Sequence, residues 1–322
     1  MIEVKNKRLM ILAGSHYPEL AENIAKKLGV KVSRSGKQSF ANGEVKYQLD
    51  ESVRGADVFI FQAHNESVAE AIIEQAVLID AAKRASAAHI TAVCPFFGYA
   101  RQDRKSKGRE PITAKLVVDI LSTAGANRIV SVDLHSGQIQ GFFNGPFDHL
   151  IALPAIASHI KKRFGTDCVM VSPDAGRVKL TERYASRLGT DIAIVHKRRV
   201  KNNQAEALDV IGDIKGRHCV INDDMIDTAG TICVAAEMLK KKGAKSVSVV
   251  ATHGLFSNPA MDRIGKSDID YLAVTDTLPL PKNLPKSPKI EVISVVDLIA
   301  QAIQAIFEDG SVSALFDGEN QT

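Results

Sequence analysis

Residues 221–232 read INDDMIDTAGTI: three aspartates, two threonines and a glycine, with the apolar runs RHCV before them and CVAAEML after them. A β-branched run that passes through small polar residues into a helical pattern reads as strand, loop and helix, the repeating step of an α/β sheet. Ligands of open α/β sheets bind beyond the carboxyl ends of strands, so these polar groups are expected to point into a crevice. Thr228, Ala229, Gly230 and Thr231 lead into the helix, where free N–H groups and the dipole favour an anion and small side chains let a phosphate approach the backbone. Asp223 and Asp224 can accept hydrogen bonds from adjacent hydroxyls, which is how a protein holds a ribose. Carboxylates beside a phosphate cradle point to a sugar phosphate. The plainer alternative is an Asp-rich cap that only ends the strand, but the full DDxxDTxGT spacing favours the ligand.

The same alternation extends along the whole chain. RLMILAG, DVFIFQA, HITAVCPF and RIVSVDLH in the first half, and CVMVSPD, IAIVHK, HCVIND, SVSVVATH, YLAVTD and IEVISV in the second, are short strand patterns. Between most of them lie helical patterns such as SVAEAIIEQAVLIDAAKRA and VKLTERYASRLG. Parallel strands with crossover helices follow, an α/β fold in two similar domains, 1–150 and 151–322, with the last segment able to return to the first. AGANRIVSVDLH (124–135) echoes KGAKSVSVVATH (242–253) as helix end, Gly-Ala turn, strand and histidine, which suggests duplication. The join is expected near GPFDHLIALPAIA, for its two prolines and turn residues.

The 322 residues, 45% hydrophobic and 24% charged, suit a soluble protein with a sizeable core. Forty-one basic against 37 acidic residues is too mild an excess to announce nucleic acid, and tryptophan is absent. No run reaches the ~18 apolar residues of a membrane span, and LMILA is too short for a signal peptide. A cytoplasmic protein is expected, without membrane or nucleic-acid partners. Cys94, Cys168, Cys219 and Cys233 form no CxxC pair and read as reduced core thiols. The phosphate motifs GxxxxGK[ST] and GxGxxG are both missing, since Ala260 stands where the first glycine before Gly265, Lys266 and Ser267 would be.

Two basic loops are expected at other strand ends. YARQDRKSKGRE holds Arg101, Arg104, Lys105, Lys107 and Arg109, and HKRRVKNN holds His196, Lys197, Arg198, Arg199 and Lys201. Such runs are often only solvated charge, but a polyphosphate needs cations that close over it. His135 in DLHSG and Asp174 in SPDAG also follow strands. A histidine and a carboxylate at neighbouring strand ends can share Mg2+, which prefers oxygen ligands and keeps waters and phosphates.

With these residues in view, the chain resembles ribose-phosphate diphosphokinase, the PRPP synthetase family. The resemblance runs from about residue 8 to residue 316. FANGE (40–44), ESVRG (51–55), YARQDRK (99–105), DLHSGQIQGFF (133–143), VSPDAG (171–176), HKRR (196–199), DDMIDTAGT (223–231) and SVSALF (311–316) fall in the family's order. It implies two phosphoribosyltransferase-type domains, ATP and ribose 5-phosphate as substrates, PRPP and AMP as products, and Mg2+ as cofactor. By the same resemblance, Phe40, Asn42, Gly43 and Glu44 form an ATP loop lent by a neighbouring subunit, and Arg101 and Gln102 are ATP contacts. His135 and Asp174 match Mg2+ positions, and Lys197 and Arg199 are the catalytic cations, Arg199 also serving ribose 5-phosphate. Asp223, Asp224 and Asp227 through Thr231 match the ribose 5-phosphate loop. Ser52, Arg54, Arg109, Ser311, Ser313 and Phe316 resemble a site where inorganic phosphate activates and ADP inhibits. A hexamer built from dimers is implied. Asn42, Asn222, Arg177 and Leu180 depart from the residues usual in the family. A PRPP-consuming phosphoribosyltransferase and a catalytically silent regulatory subunit are the competing readings.

Overall fold

The computed structural model describes residues 7–199, 206–286 and 288–316, with backbone alone at 197–199 and 206–208. In chain order the first unit holds β1 (Leu9–Ala13), α1 (Pro18–Lys27), β2 (Ser35–Ser39), β3 (Val45–Leu49), β4 (Asp57–Phe61), α2 (Val68–Arg84), β5 (His89–Cys94), α3 (Thr113–Ala124), β6 (Arg128–Val132) and β7 (Phe147–Leu150). The second holds α4 (Leu153–Phe164), β8 (Cys168–Ser172), α5 (Val178–Leu188), β9 (Asp191–Arg199), β10 (Glu206–Ile211), β11 (His218–Ile226), α6 (Gly230–Lys241), β12 (Ser246–Gly254), α7 (Ala260–Gly265), β13 (Tyr271–Thr275) and β14 (Lys289–Ile293). Contacts then return the chain to the first unit from Val296 onward, with α8 (Val296–Phe307), so the second unit runs from Ala152 to Val295 and not to residue 322.

The first sheet is parallel throughout, in the order β1-β4-β5-β6-β7. The second, β10-β9-β8-β11-β12-β13-β14, is parallel except for β10, which pairs antiparallel with β9. Continuous apolar strands explain this, because a parallel sheet is covered by helices on both faces. DVFIF of β4 and YLAVT of β13 are buried at every residue. Helices supply the cover through apolar stripes. On α1, Leu20, Ala21, Ile24 and Ala25 are buried, with Pro18 in the first turn and Lys26 and Lys27 in the last. On α8, Ile299, Ala300, Ala302 and Ile303 are buried, and Asp297 pairs with Lys27 of α1 at 2.8 Å. Cys94, Cys168 and Cys219 are buried free thiols and Cys233 is half-buried.

Several elements differ from the sequence expectation. HKRR is not a loop: His196–Arg199 belong to β9, in register with Glu206–Asp209 of β10. An edge hairpin tolerates such charge, since one side of its ladder faces solvent. The expected join does contain the boundary between the units, Ile151 to Ala152, but as the short step from β7 to α4, whose Pro154 sits in the first turn, a position that suits proline. The internal echo is one step out of register. Val32 bridges in parallel to Ile11 of β1, taking the place that β9 takes beside β8. Counting from there, β4 corresponds to β11, β5 to β12, β6 to β13 and β7 to β14, so 124–135 matches β13 and not 242–253. A helix end, glycine turn and strand recur at most helix-to-strand steps, α3 to β6 and α6 to β12 among them, which is why the wrong pair looked alike.

Ile303→Ala is expected to cost about 2–5 kcal/mol, as for other buried Ile truncations. Hydrogen exchange should then rise in α8 and α1, while β8 and β11 stay protected; loss of protection in the second unit first would contradict the assignment of α8.

Candidate active site

In the second unit β8 and β11 are parallel neighbours, but their pairing ends at Val171↔Ile221, while β11 continues beside β12 to Ile226↔Gly254. Asp223 and Asp224 are therefore strand residues beyond the end of β8, not loop residues. The loop is shorter than the motif, only Asp227 to Ala229, before α6 begins. After β8 come Asp174 and a 3-10 turn, Ala175–Arg177, that leads directly into α5.

That turn brings Arg177 onto both aspartates. Its Nε lies 3.2 Å from Asp223 Oδ1 and its Nη2 2.6 Å from Asp224 Oδ1. The amide of Asp224 also donates to Asp223 Oδ1 at 2.9 Å. The acid side chains are only 16% and 7% exposed. Burial, then the hydrogen bond and charge of Asp224, push the Asp223 carboxyl up to about 8, with Arg177 opposing the shift. Arg177 is one of the departures from the family pattern, and only the fold reveals that it meets this pair. Two carboxyl groups held side by side, one of them keeping its proton near neutral pH, still offer oxygens that accept hydrogen bonds from vicinal hydroxyls.

Beyond them, α6 starts without a side-chain cap, its preceding Ala229 in a left-handed conformation at φ 61°. The first amides of this 12-residue helix are thus not taken up by a cap, and such a terminus favours an anion. Arg263 of α7 donates to Thr228 O at 3.0 Å. A Cβ added at Gly230 would lie 3.4 Å from its Nη1, so this position is close to a cation. Arg263 carried no sequence signal, because its helix is too short to show a period. Asn222, also a departure, is fully buried, and no described group bonds its amide.

Asp174 is exposed, and its Oδ1 accepts from Gly176 N at 2.8 Å. His135 follows β6 and is half-buried. They belong to different units. Among the described residues no three His, Cys, Asp or Glu side chains gather as a metal cluster. The side chains of Lys197 and Arg199 lie outside the described residues.

In the first unit the FANGE stretch is the tip of the β2–β3 hairpin. Phe40 N donates to Glu44 O at 2.8 Å, Gly43 N to Phe40 O at 2.9 Å, and Glu44 N to Asn42 Oδ1 at 3.2 Å. Gly43 takes φ 90°, which a side chain would strain, and Phe40 is 53% exposed. Arg101 and Gln102 sit in the loop after β5, both exposed, and Gln102 O accepts from Ala114 N of α3. The root of this loop is fixed from below. Gly98 N donates to His64 Nδ1 at 3.0 Å, so Nε2 carries the proton towards Gln75 Oε1, 2.9 Å away. Burial lowers the His64 pKa to about 4, the Gln75 hydrogen bond resisting. A Cβ at Gly98 would come within 2.6 Å of Val68 and 2.9 Å of His64, so only glycine fits there.

Ser52, Arg54, Arg109, Ser311 and Ser313 are exposed, and Phe316 is buried. All lie in the first unit. Ser52 O accepts from Arg8, Ser52 Oγ from Arg54 N, and Ser311 Oγ from Ala314 N at 3.3 Å. Arg109 holds a left-handed φ of 68°.

Known proteins are similar to nearly the whole of this chain. The pattern of the N-terminal domain of ribose phosphate pyrophosphokinase matches residues 9–125, and that of the phosphoribosyl synthetase-associated domain matches 197–317. A ribose-phosphate pyrophosphokinase of Streptomyces avermitilis is 52% identical over 314 residues, 97% of either chain. One of Bifidobacterium longum is 50% identical over 318 residues, 97% of this chain and 93% of that one. The crystal structure of phosphoribosylpyrophosphate synthetase from Mycobacterium smegmatis superposes with a TM-score of 0.89 at 47% identity, over 94% of this chain and all of the other. The chain belongs to the ribose-phosphate pyrophosphokinase family.

The raised Asp223 carboxyl predicts a stability cost. A buried acid whose folded pKa exceeds its unfolded value, ~3.9, stabilises the fold below that value and loses this as pH rises towards about 8. Asp223→Asn should therefore raise the melting temperature most at pH 8 and hardly at all near pH 4, in scans of both proteins.

Proposed function

We propose that the protein is a ribose-phosphate diphosphokinase that transfers the β,γ-diphosphoryl group of ATP to O1 of ribose 5-phosphate, giving PRPP and AMP for nucleotide synthesis. The observation that carries this is the pair Asp223 and Asp224, gripped by Arg177 at a strand end and followed by the uncapped start of α6. Carboxylates for the pentose hydroxyls and amides for its 5′-phosphate stand in one stretch of chain. The likeness to full-length relatives of this activity supports the reading.

In the reaction the ribose O1 attacks the β phosphorus, an O1–Pβ bond forms, and the bond from Pβ to the bridging oxygen breaks, that oxygen leaving with AMP. The O1 proton passes to solvent; a loose transition state lets it leave late and needs no dedicated base. Asp223 and Asp224 hold the hydroxyls, while Asp227, Thr228, Ala229, Gly230 and Thr231 hold the phosphate. Lys197 and Arg199 neutralise charge on the transferring group. Phe40, Asn42, Gly43 and Glu44, from a neighbouring copy, and Arg101 and Gln102 hold the adenine nucleotide.

Mg2+ would accompany ATP, and Asp174 in the second unit and His135 in the first are the groups that would offer it a donor. The exposed Asp174 carboxylate is a hard oxygen donor of the kind Mg2+ takes, an ion that keeps water and phosphate oxygens as its other ligands. Bound there, the ion would screen the phosphate charge. Ser52, Arg54, Arg109, Ser311, Ser313 and Phe316 would form the phosphate and ADP site of a cytoplasmic homohexamer. Among the described residues no helix is long and apolar enough to cross a membrane.

Pure protein given ribose 5-phosphate, MgATP and phosphate should form AMP and PRPP in equal amounts. Lys197→Ala should lower kcat about a hundredfold, the loss typical of one donor to a developing anion, with unchanged circular dichroism. Binding of ribose 5-phosphate without any PRPP would favour the silent regulatory subunit instead.

A further inference from the structure

The first unit buries a carboxylate for which the reaction has no use. Glu74, in the middle of α2, has a side chain with no exposed surface, and it sits by the end of β1, where the second unit presents Asp174 by the end of β8. Its partners leave little of it free. Ser15 N donates to Oε1 at 2.6 Å and Ser15 Oγ to Oε2 at 2.8 Å, while Tyr47 Oη donates to Oε1. Lys37 Nζ reaches Oε2 at 3.1 Å and Ser15 Oγ at 2.7 Å. Burial alone would raise this acid, but hydrogen bonds from His16, Tyr47 and Ser15 hold it well below the usual carboxylate range.

Lys37 and Tyr47 are directly opposite each other in the β2–β3 ladder. One carboxylate thus grips both strands of the hairpin at one rung. The grip matters because β2, SGKQS, has no apolar side chain to bury, and a two-stranded ribbon is marginal by itself. Only Val45, Tyr47 and Leu49 of β3 turn apolar groups inward. From that rung to the tip the hairpin extends three residues, roughly 10 Å at ~3.4 Å per residue. A turn of about 10° at the rung would then move Phe40 and Asn42 by nearly 2 Å, on the order of what costs a positioned group its contact.

We propose that Glu74 is a positioning residue for nucleotide binding: through Lys37 and Tyr47 it sets the angle of the hairpin and so the place of the Phe40–Glu44 loop. This rests on the reading that the loop holds ATP. The end of β1 is thus filled by the protein's own anion and serves as an anchor.

Tyr47→Phe removes one hydroxyl and keeps the ring, and Lys37→Met removes the cation; both avoid emptying the core as Glu74→Ala would. KM for MgATP should rise about tenfold, the factor that 1.4 kcal/mol represents, with kcat and KM for ribose 5-phosphate within about twofold of the parent. Light scattering should show the same assembly, and deuterium uptake should rise at 35–49 but not at 89–94. An unchanged KM for MgATP, a parallel rise in both KM values, or unchanged uptake at 35–49 would overturn the proposal. If the parent itself made no AMP, the diphosphokinase reading would fall, and uptake at 35–49 would still decide the clamp.

Discussion

The second unit is organised by a step in its sheet. β8 stops pairing at Val171 while β11 and β12 carry on together, so β11 projects past its neighbour and leaves one side of its last residues without a ladder partner. Nothing apolar needs to fill that side, and the chain places Asp223 and Asp224 there. The turn that leads into α5 brings Arg177 to them, the cation that two adjacent acids require. Burying them costs stability, which the arginine offsets only in part. That cost is expected of a site prepared for a polar ligand before the ligand arrives.

What could be read in the sequence follows from how local each signal is. The buried strands were legible because a strand covered on both faces is apolar throughout, as in DVFIF and YLAVT. The polar ribbon of β2 and β3 was not, since SGKQS is surface on both sides and is held by β3, Ser15 and a residue on α2. HKRR looked like a loop because its charge hides a strand that pairs on one edge. In the candidate site, Asp223 through Thr231 could be singled out from the sequence because they are contiguous. Arg177, Arg263 and Glu74 reach the candidate stretches only through packing between elements, and no spacing rule brings them there.

The two sheets also show how one plan serves different ends. Where the second unit offers its strand ends outward, the first turns them inward: Glu74 takes up Ser15, Lys37 and Tyr47, and Gln75 takes up His64, which carries Gly98. Adjacent residues of one helix thereby hold the roots of two different loops. A rigid floor under polar loops is a familiar division of labour in proteins, in which the scaffold sets geometry and loops make contact.

The return of α8 to the first unit has a bearing on synthesis. A chain leaving the ribosome completes everything the second unit needs, Ala152 to Val295, before the helix that covers α1 has been made. The earlier-born half must therefore wait, with Leu20 and Ile24 uncovered, until the last few dozen residues emerge. At roughly 5–20 residues per second that delay lasts for many seconds. Chaperones would meet the amino-terminal half of this protein as the unfinished one.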